Sequence, residues 1–255
     1  MKIYEKAKVA KALELSKGIF ELRIKTNIAK EAKPGQFVMV YPKDKSTILP
    51  RPISICEAEG DLLRLVYRVA GKGTKEFSLY EENEDVTVMG PIGNGFPIEK
   101  ALGKKAVLIG GGIGVPPILQ LSKEIKAKEV TTVLGYRNND LFLKDDFDKY
   151  SNTVIATEDG SVGTKGNVLT AIKEQGIECD VIFACGPMPM LRAIKQYAKE
   201  KNIEAYISLE ERMACGVGAC LGCVCKTVKK DEHSHVNNAR VCTEGPVFLA
   251  SEVDI

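Results

Sequence analysis

Four cysteines near the C-terminus limit what this chain can fold into more than any other feature. Cys215, Cys220 and Cys223, followed by Cys242, reproduce the C-x4-C-x2-C…C spacing of a plant-type [2Fe–2S] centre. Two irons and two sulfides need four thiolates converging from different directions. The segment must therefore wrap as a tight loop around a compact object. Gly216, Gly218 and Gly222 stand between the cysteines and tolerate the φ values such a loop requires. Zinc is a weaker reading, because structural zinc sites favour pairs of short knuckles and only Cys220 and Cys223 form one here. Disulfides are a third reading. The chain opens Met-Lys-Ile-Tyr-Glu-Lys with no apolar leader, which predicts a reducing, cytoplasmic setting. Cys225 is expected to be a structural spare, carried away from Cys223 by a strand. Cys56, Cys179 and Cys185 lie in apolar, strand-like runs and read as buried thiols.

Bulk properties exclude several classes. A chain of 255 residues has room for one large or two modest domains. The formal charge of +2 gives no electrostatic footprint for nucleic acid. No run of about 18 apolar residues exists, so no membrane-spanning helix is expected. Only two histidines occur, His233 and His235, both in a polar stretch between the third and fourth cysteines of the motif. Acid–base catalysis by histidine is not expected, and redox work is.

The chain divides by rhythm. Up to about residue 100, short runs with partial period-two alternation (Ile19–Ile24, Gln36–Tyr41, Ile53–Cys56, Leu62–Val69, Val86–Met89) are separated by turn residues such as Pro34-Gly35 and Gly71-Lys72-Gly73. That pattern predicts an antiparallel barrel or sandwich. One short helix is expected within it, with Thr74 as N-cap and Phe77 facing inward. From Lys104, apolar strands (Ala106–Gly110, Val130–Gly135, Thr153–Thr157, Asp180–Cys185, Ala205–Leu209) alternate with helical stretches near 118–125, 167–175 and 188–201. Such alternation implies βαβ units and a parallel sheet covered on both faces. The expected organisation is a β-barrel over 1–100, an α/β nucleotide domain over 101–210 and a small cluster module over 211–255.

Three motifs carry further chemistry. Gly110-Gly111-Gly112-Ile113-Gly114-Val115-Pro116-Pro117 joins the first parallel strand to its helix, where unpaired N–H groups favour a pyrophosphate. It is not G-x-G-x-x-G, since Val115 stands in place of the third glycine; alone, it could be a tight structural turn. Cys185-Gly186-Pro187-Met188-Pro189-Met190 ends a later strand. Ligands in open α/β sheets sit at the carboxyl ends of strands, so two such turns favour a nucleotide. In the β region, Arg51-Pro52-Ile53-Ser54 opens a strand, while Tyr67-Arg68 and Gly71-Lys72-Gly73-Thr74 add a second cation and a glycine turn. Each alone is unremarkable; together they suit a second phosphate-bearing cofactor, a flavin dinucleotide. Asp159-Gly160-Ser161 either edges the nucleotide site or is an ordinary turn.

With R-P-x-S, G-x-G-T, G-G-G-I-G-V-P-P, C-G-P-M-P-M and the cysteine motif in place, the whole chain resembles the ferredoxin–NADP reductase superfamily. More narrowly it resembles the electron-transfer subunits of NAD-dependent dihydroorotate dehydrogenases, through Glu210-Glu-Arg-Met-Ala-Cys215 and Glu244-Gly-Pro-Val-Phe248. The resemblance implies that Arg51, Pro52, Ile53, Ser54, Val66, Tyr67, Arg68, Gly73 and Thr74 hold FAD. It implies that Gly111, Gly112, Ile113, Gly114, Cys185, Gly186 and Pro187 frame NAD, and that Cys215, Cys220, Cys223 and Cys242 bind the cluster. Most ferredoxin reductases carry Tyr where Ile53 stands, so the flavin ring would be gripped differently. The implied partner is an FMN-containing dihydroorotate dehydrogenase catalytic subunit, in a heterotetramer with two of each. Electrons would pass from FMN through [2Fe–2S] and FAD to NAD⁺ during pyrimidine biosynthesis. The alternative is a flavin and iron–sulfur subunit of another NAD(P)H oxidoreductase, such as an NADH-dependent ferredoxin:NADP oxidoreductase; one cluster ligand in that group is commonly Asp. Tyr136-Arg137-Asn138-Asn139-Asp140 leaves NAD against NADP open, because Arg137 suits a 2′-phosphate and Asp140 a free ribose hydroxyl.

Overall fold

The computed structural model describes residues 2–230 and 235–255. Six antiparallel strands close into a barrel in the order β1-β2-β5-β4-β3-β6. They are β1 (Ile3–Ser16), β2 (Ile19–Lys25), β3 (Phe37–Tyr41), β4 (Arg51–Glu59), β5 (Leu62–Arg68) and β6 (Asp85–Ile92), with a short helix α1 (Ile28–Glu31) and a second, α2 (Lys72–Phe77). Closure satisfies the ladder groups that a sandwich would leave open at its edges. Leu22, Ile24, Val38, Ile55, Leu63, Leu65 and Val88 fill the interior, and Phe77 packs among them fully buried. The barrel was legible without β1. That strand alternates, but with alanine and charge where the others carry large apolar groups, and only Ala7 and Val9 in it are fully buried. Pairing on both sides, with β2 and β6, holds it in place, and irregularities at Val9/Lys11 and Glu14/Ser16 bend it.

The α2 terminus differs from expectation. Gly71, not Thr74, occupies the N-cap position. Thr74 sits one turn inside, and its Oγ1 accepts from the N–H groups of Ala70 (2.9 Å) and Gly71 (3.1 Å). The hydroxyl caps backwards from the helix, so the residue type was read correctly and its position was not.

A seven-stranded sheet follows in the order β10-β9-β8-β7-β11-β12-β15. Its parallel strands are β7 (Lys105–Gly111), β8 (Glu129–Tyr136), β9 (Asn152–Thr157), β10 (Thr164–Lys165), β11 (Val181–Cys185) and β12 (Glu204–Ser208). Helices α3 (Pro116–Glu124), α4 (Lys144–Phe147), α5 (Val168–Glu174) and α6 (Met188–Lys201) connect them. From β7 the chain runs outward through β8 to β10, then returns to β7's other side as β11. The sheet therefore reverses direction between β7 and β11, and the two glycine turns leave these neighbouring strands. Pro116 and Pro117 occupy the first turn of α3, where a missing N–H costs nothing.

The last element, β15 (Val247–Leu249), pairs antiparallel with β12 through Tyr206↔Leu249, Ile207↔Phe248 and Ser208↔Val247. The cysteine segment lies between β12 and β15, together with a hairpin of β13 (Val224–Lys226) and β14 (Asn238–Arg240).

Barrel and sheet share a core in which Val66, Cys56 and Ile19 meet Leu108, Val115 and Ile118. Polar groups reinforce this contact. Arg64 on β5 donates to Glu21 (2.6 Å) and, across the junction, to Asp146 on α4 (2.9 Å). Lys123 on α3 reaches Glu57 on β4 at 2.9 Å, and the Ala58 N–H donates to Gln120 Oε1 at 2.9 Å.

Candidate functional site

The sequence-expected flavin residues gather on one side of the barrel. Arg51 begins β4, and its guanidinium lies over Gly73, where a Cβ would stand only 2.8 Å from Nε. A glycine is therefore what allows the arginine and the α2 turn to meet. Arg51 also donates to the Leu49 carbonyl at 2.5 Å. Together with Lys72, Ser46, Thr47, Ile48 and Leu49 it lines an open groove of ≈ 340 Å³. Two cations at its rim suit a pyrophosphate. Pro52 and Ser54 are half-buried on the same strand, whereas the Ile53 side chain turns into the barrel core. Val66 and Tyr67 on β5 face opposite ways, Val66 toward the sheet and Tyr67 into the barrel. The Tyr67 hydroxyl is buried and has no hydrogen-bond partner among the described residues; burial pushes its pKa up.

Arg68 projects from the end of β5 toward the sheet. Its Nη2 lies 3.8 Å from where a Cβ on Gly112 would stand. It thereby links the barrel to the first glycine turn. Gly112 has φ +53 and otherwise open space beside it, so its backbone is free to face a ligand. Gly114 does a different job. A Cβ there would collide with the Cys185 carbonyl, and one on Gly111 or Gly186 would strike the Met190 side chain. The turns Gly111–Gly114 and Cys185–Pro187 therefore abut, with Ile113 half-buried and Pro187 exposed at their edge. The Cys185 thiol is buried, which raises its pKa, and a bond to Ser208 does not offset this. Asp159-Gly160-Ser161 forms a self-contained turn: Asp159 accepts from the Ser161 N–H (2.9 Å) and hydroxyl (2.7 Å). Asp140 is hydrogen-bonded by Ser16 of the barrel.

One residue at this crevice had no assigned role in the sequence reading. Glu210, just past β12, is open to solvent, yet loss of hydration raises its pKa and only Arg68 works against that. Both facts fit a carboxylate lining a recess that water enters. The only sequence signal was its place immediately before the cysteine loop.

The cysteines fall into two pairs. Cys215 Sγ accepts from the N–H groups of Val217 and Cys220, both at 3.4 Å. Burial opposes ionisation of Cys215, but these donors and the Cys220 thiol outweigh it and bring the pKa down to about 6. Cys223 and Cys242 form the second pair, both buried; burial and the Cys223 thiol push Cys242 up to about 11. Among the described residues, no three Cys, His, Asp or Glu side chains converge on a single-ion site. Two pairs of thiolates suit two irons better than one tetrahedral zinc.

Cys225 is buried too, and burial raises its pKa to about 11. Residues two apart on a strand share a face, so a strand running through both would not by itself turn Cys225 away from Cys223. Cys223, however, precedes β13, while Cys225 lies within it opposite Ala239. Cys56 is fully buried on β4, as expected of a structural thiol, whereas Cys179 is half-buried in the loop before β11 rather than buried in a strand. His235 is exposed, and His233 lies outside the described residues.

The cysteine loop is seated on the barrel. A Cβ on Gly216 would stand 2.9 Å from Met39 Cγ and 3.4 Å from Ile92 Cδ1. Asn94, beyond β6, donates its backbone N–H to the Gly245 carbonyl (2.6 Å) and its side-chain amide to Glu244 (3.0 Å). Around the loop, Val217, Leu221 and Val224 are exposed, as is Cys220.

A closed barrel, a parallel sheet with glycine turns at its reversal point and a four-cysteine loop define an oxidoreductase of the ferredoxin reductase type, carrying an iron–sulfur module. Two family models match: the oxidoreductase NAD-binding domain over residues 108–196, and the iron-sulfur cluster binding domain of dihydroorotate dehydrogenase B over residues 210–254. The chain belongs to the family of dihydroorotate dehydrogenase B (NAD(+)) electron transfer subunits. It is 43% identical over 251 residues to the member from Lysinibacillus sphaericus, covering 96% of both chains. To the member from Fusobacterium nucleatum it is 42% identical over 267 aligned positions, covering both chains completely. In structure it is similar to a chain of the NADH-dependent reduced ferredoxin-NADP oxidoreductase, with a TM-score of 0.87, 30% identity, and 97% of this chain and 89% of that one covered. A ferredoxin NADP+ reductase from Neisseria gonorrhoeae shares the fold at a TM-score of 0.66 and 16% identity, over 77% of this chain and 91% of that one. No helix among the described residues is long and apolar enough to cross a membrane.

Proposed function

We propose that this chain is the electron-transfer subunit of a cytoplasmic dihydroorotate dehydrogenase, taking electrons from the FMN of a catalytic subunit and delivering them to NAD⁺. The observation that supports this best is the seating of the cysteine loop on β3 and β6 of the barrel. An iron–sulfur site there would stand against the same barrel that carries Arg51 and the Gly73 turn, since Met39 beneath Gly216 pairs with Pro52, the neighbour of Arg51. When bound, a flavin supplies the exchange between single electrons and a hydride. The chain's own residues hold and orient. Arg51 and Arg68, with Gly73, Thr74 and backbone of Pro52, Ile53, Ser54, Val66 and Tyr67, retain FAD. Gly111, Gly112, Ile113 and Gly114 meet the nicotinamide dinucleotide, with Cys185, Gly186 and Pro187 closing its crevice. Cys215, Cys220, Cys223 and Cys242 would hold the [2Fe–2S] cluster. Exposed Val217, Leu221 and Val224 around Cys220 provide an apolar rim for the catalytic subunit, in an assembly of two copies of each. Functionally the chain divides into a flavin barrel (1–100), a nicotinamide domain (101–210) and a cluster module (211–255).

Reconstitution tests this reading. The purified chain should show flavin and iron–sulfur absorbance and oxidise NADH with an artificial acceptor, but leave dihydroorotate untouched. Adding the catalytic subunit should restore dihydroorotate-dependent NADH formation. A colourless holo-preparation, or dihydroorotate oxidation by the single chain, would refute it.

A further inference from the structure

Thr243 immediately follows the fourth cysteine, and its side chain is the second of two with a buried, unpartnered oxygen among the described residues. Its backbone is accounted for: the N–H donates to the Arg240 carbonyl (3.1 Å) and the C=O accepts from Asn94 (3.4 Å). The hydroxyl alone is left over. A buried hydroxyl without a partner is unfavourable, and each such group in a native fold calls for a reason. Its surroundings supply one. The side chain lies against Gly218, where a Cβ would stand 2.9 Å from Cγ2 and 3.4 Å from Oγ1. Gly218 sits between Cys215 and Cys220. The hydroxyl is thus pressed against the cysteine loop, with no nitrogen, oxygen or cysteine-sulfur acceptor in reach among the described residues.

We propose that Thr243 Oγ1 donates a hydrogen bond to a sulfide of the bound iron–sulfur cluster, the acceptor that the protein itself does not supply, and so tunes its reduction potential. This rests on the reading of the four cysteines as cluster ligands. The direction follows from charge. Reduction adds negative charge to the sulfurs, so a donor aimed at them is worth more in the reduced state and raises the potential. Thr243 is a positioning and tuning residue, not a ligand, and its neighbours Arg240 and Glu244 are already paired with each other at 2.8 Å.

The test is a potentiometric titration, followed by electron paramagnetic resonance, of the holo-complex with its catalytic subunit. Thr243→Val keeps the shape and deletes the donor. The expected result is a more negative cluster midpoint: at the wild-type midpoint the reduced-to-oxidised ratio falls roughly tenfold, about 59 mV for one electron. Flavin midpoints and iron content should not change. Thr243→Ser keeps the hydroxyl but loses the methyl that rests on Gly218, and should titrate like wild type. An unchanged midpoint in Thr243→Val, or an equal shift in Thr243→Ser, overturns the proposal, the latter because packing would then be the cause. If Thr243→Val fails to hold a cluster, Thr243→Ser decides alone: a wild-type midpoint supports the hydroxyl's role and a shifted one refutes it. Absence of any cluster signal in wild type would instead refute the reading on which the proposal rests.

Discussion

Replacing Arg64 by methionine should loosen the junction between barrel and sheet. Glu21 is 1% exposed, and the Arg64 side chain is 10% exposed. Removing one partner of a buried pair typically costs about 3–5 kcal/mol, because the other charge stays buried. Glu21 keeps a second partner in Arg23 at 2.6 Å, and Asp146 keeps Lys149 at 2.8 Å, so we place the cost near the low end, about 3 kcal/mol. At roughly 2–4 °C per kcal/mol for a chain of this size, Tm should fall by roughly 8 °C in scanning calorimetry. Adding Glu21→Gln should recover at least half, since it removes the stranded charge. The pH dependence carries a sign. Burial works to raise the Asp146 pKa, but hydrogen bonds from Lys149 and Arg64 outweigh it and hold it below the usual value of 3.8. That contribution is present above the unfolded value and is lost as pH falls through the folded one. The Tm gap between wild type and Arg64→Met should therefore narrow below about pH 4. A loss under about 2 °C at neutral pH, or no recovery in the double variant, would show that the network does not secure the junction.

Serine at Cys215, Cys220, Cys223 or Cys242 should each remove most iron and acid-labile sulfide, while Cys225→Ser should retain both; metal and sulfide analysis reads this directly. Arg51→Ala should weaken FAD retention by roughly tenfold or more, the usual scale for a lost charged hydrogen bond, whereas Lys126→Ala, exposed just beyond α3, should not; fluorescence of released flavin checks it. Gly114→Ala should raise the KM for NADH severalfold, because its methyl would drive the turn away from the Cys185 carbonyl; an unchanged KM would mean the two turns need not touch. In the reconstituted complex, cluster variants should still pass electrons from NADH to a dye yet lose dihydroorotate-dependent NADH formation. Full coupled activity without a cluster would refute the order of carriers.

What was legible depended on how local the signal was. The parallel strands β7 and β11 are apolar on both faces, and α6 matches its expected 188–201 span, because burial and helical period are written in adjacent residues. β1 is held by pairing with strands far away in sequence, and its own alanines and lysines say little. β15 was hidden for the same reason: three residues after a loop of cysteines become a strand only because β12 has a free edge. The site shows the same split. Cysteine spacing announced itself, whereas Glu210 matters through the charge of Arg68 and Thr243 through its packing on Gly218, neither of which a neighbouring residue foretells.

The return of β15 to the edge of β12 makes the cysteine segment an internal excursion of the sheet rather than a tail. Cutting the chain after Leu209 would not simply delete a redox module. It would bare the N–H and C=O row of β12, and an open edge recruits whatever strand is available, including that of another copy. On the proposed ligand set, metal insertion would also favour sheet completion. Tying Cys215 to Cys242 would shorten the flexible span that must close before Val247 can pair, and loop closure is paid in entropy. Amide exchange along β12, buried in the sheet, should therefore report on whether the cluster has been loaded.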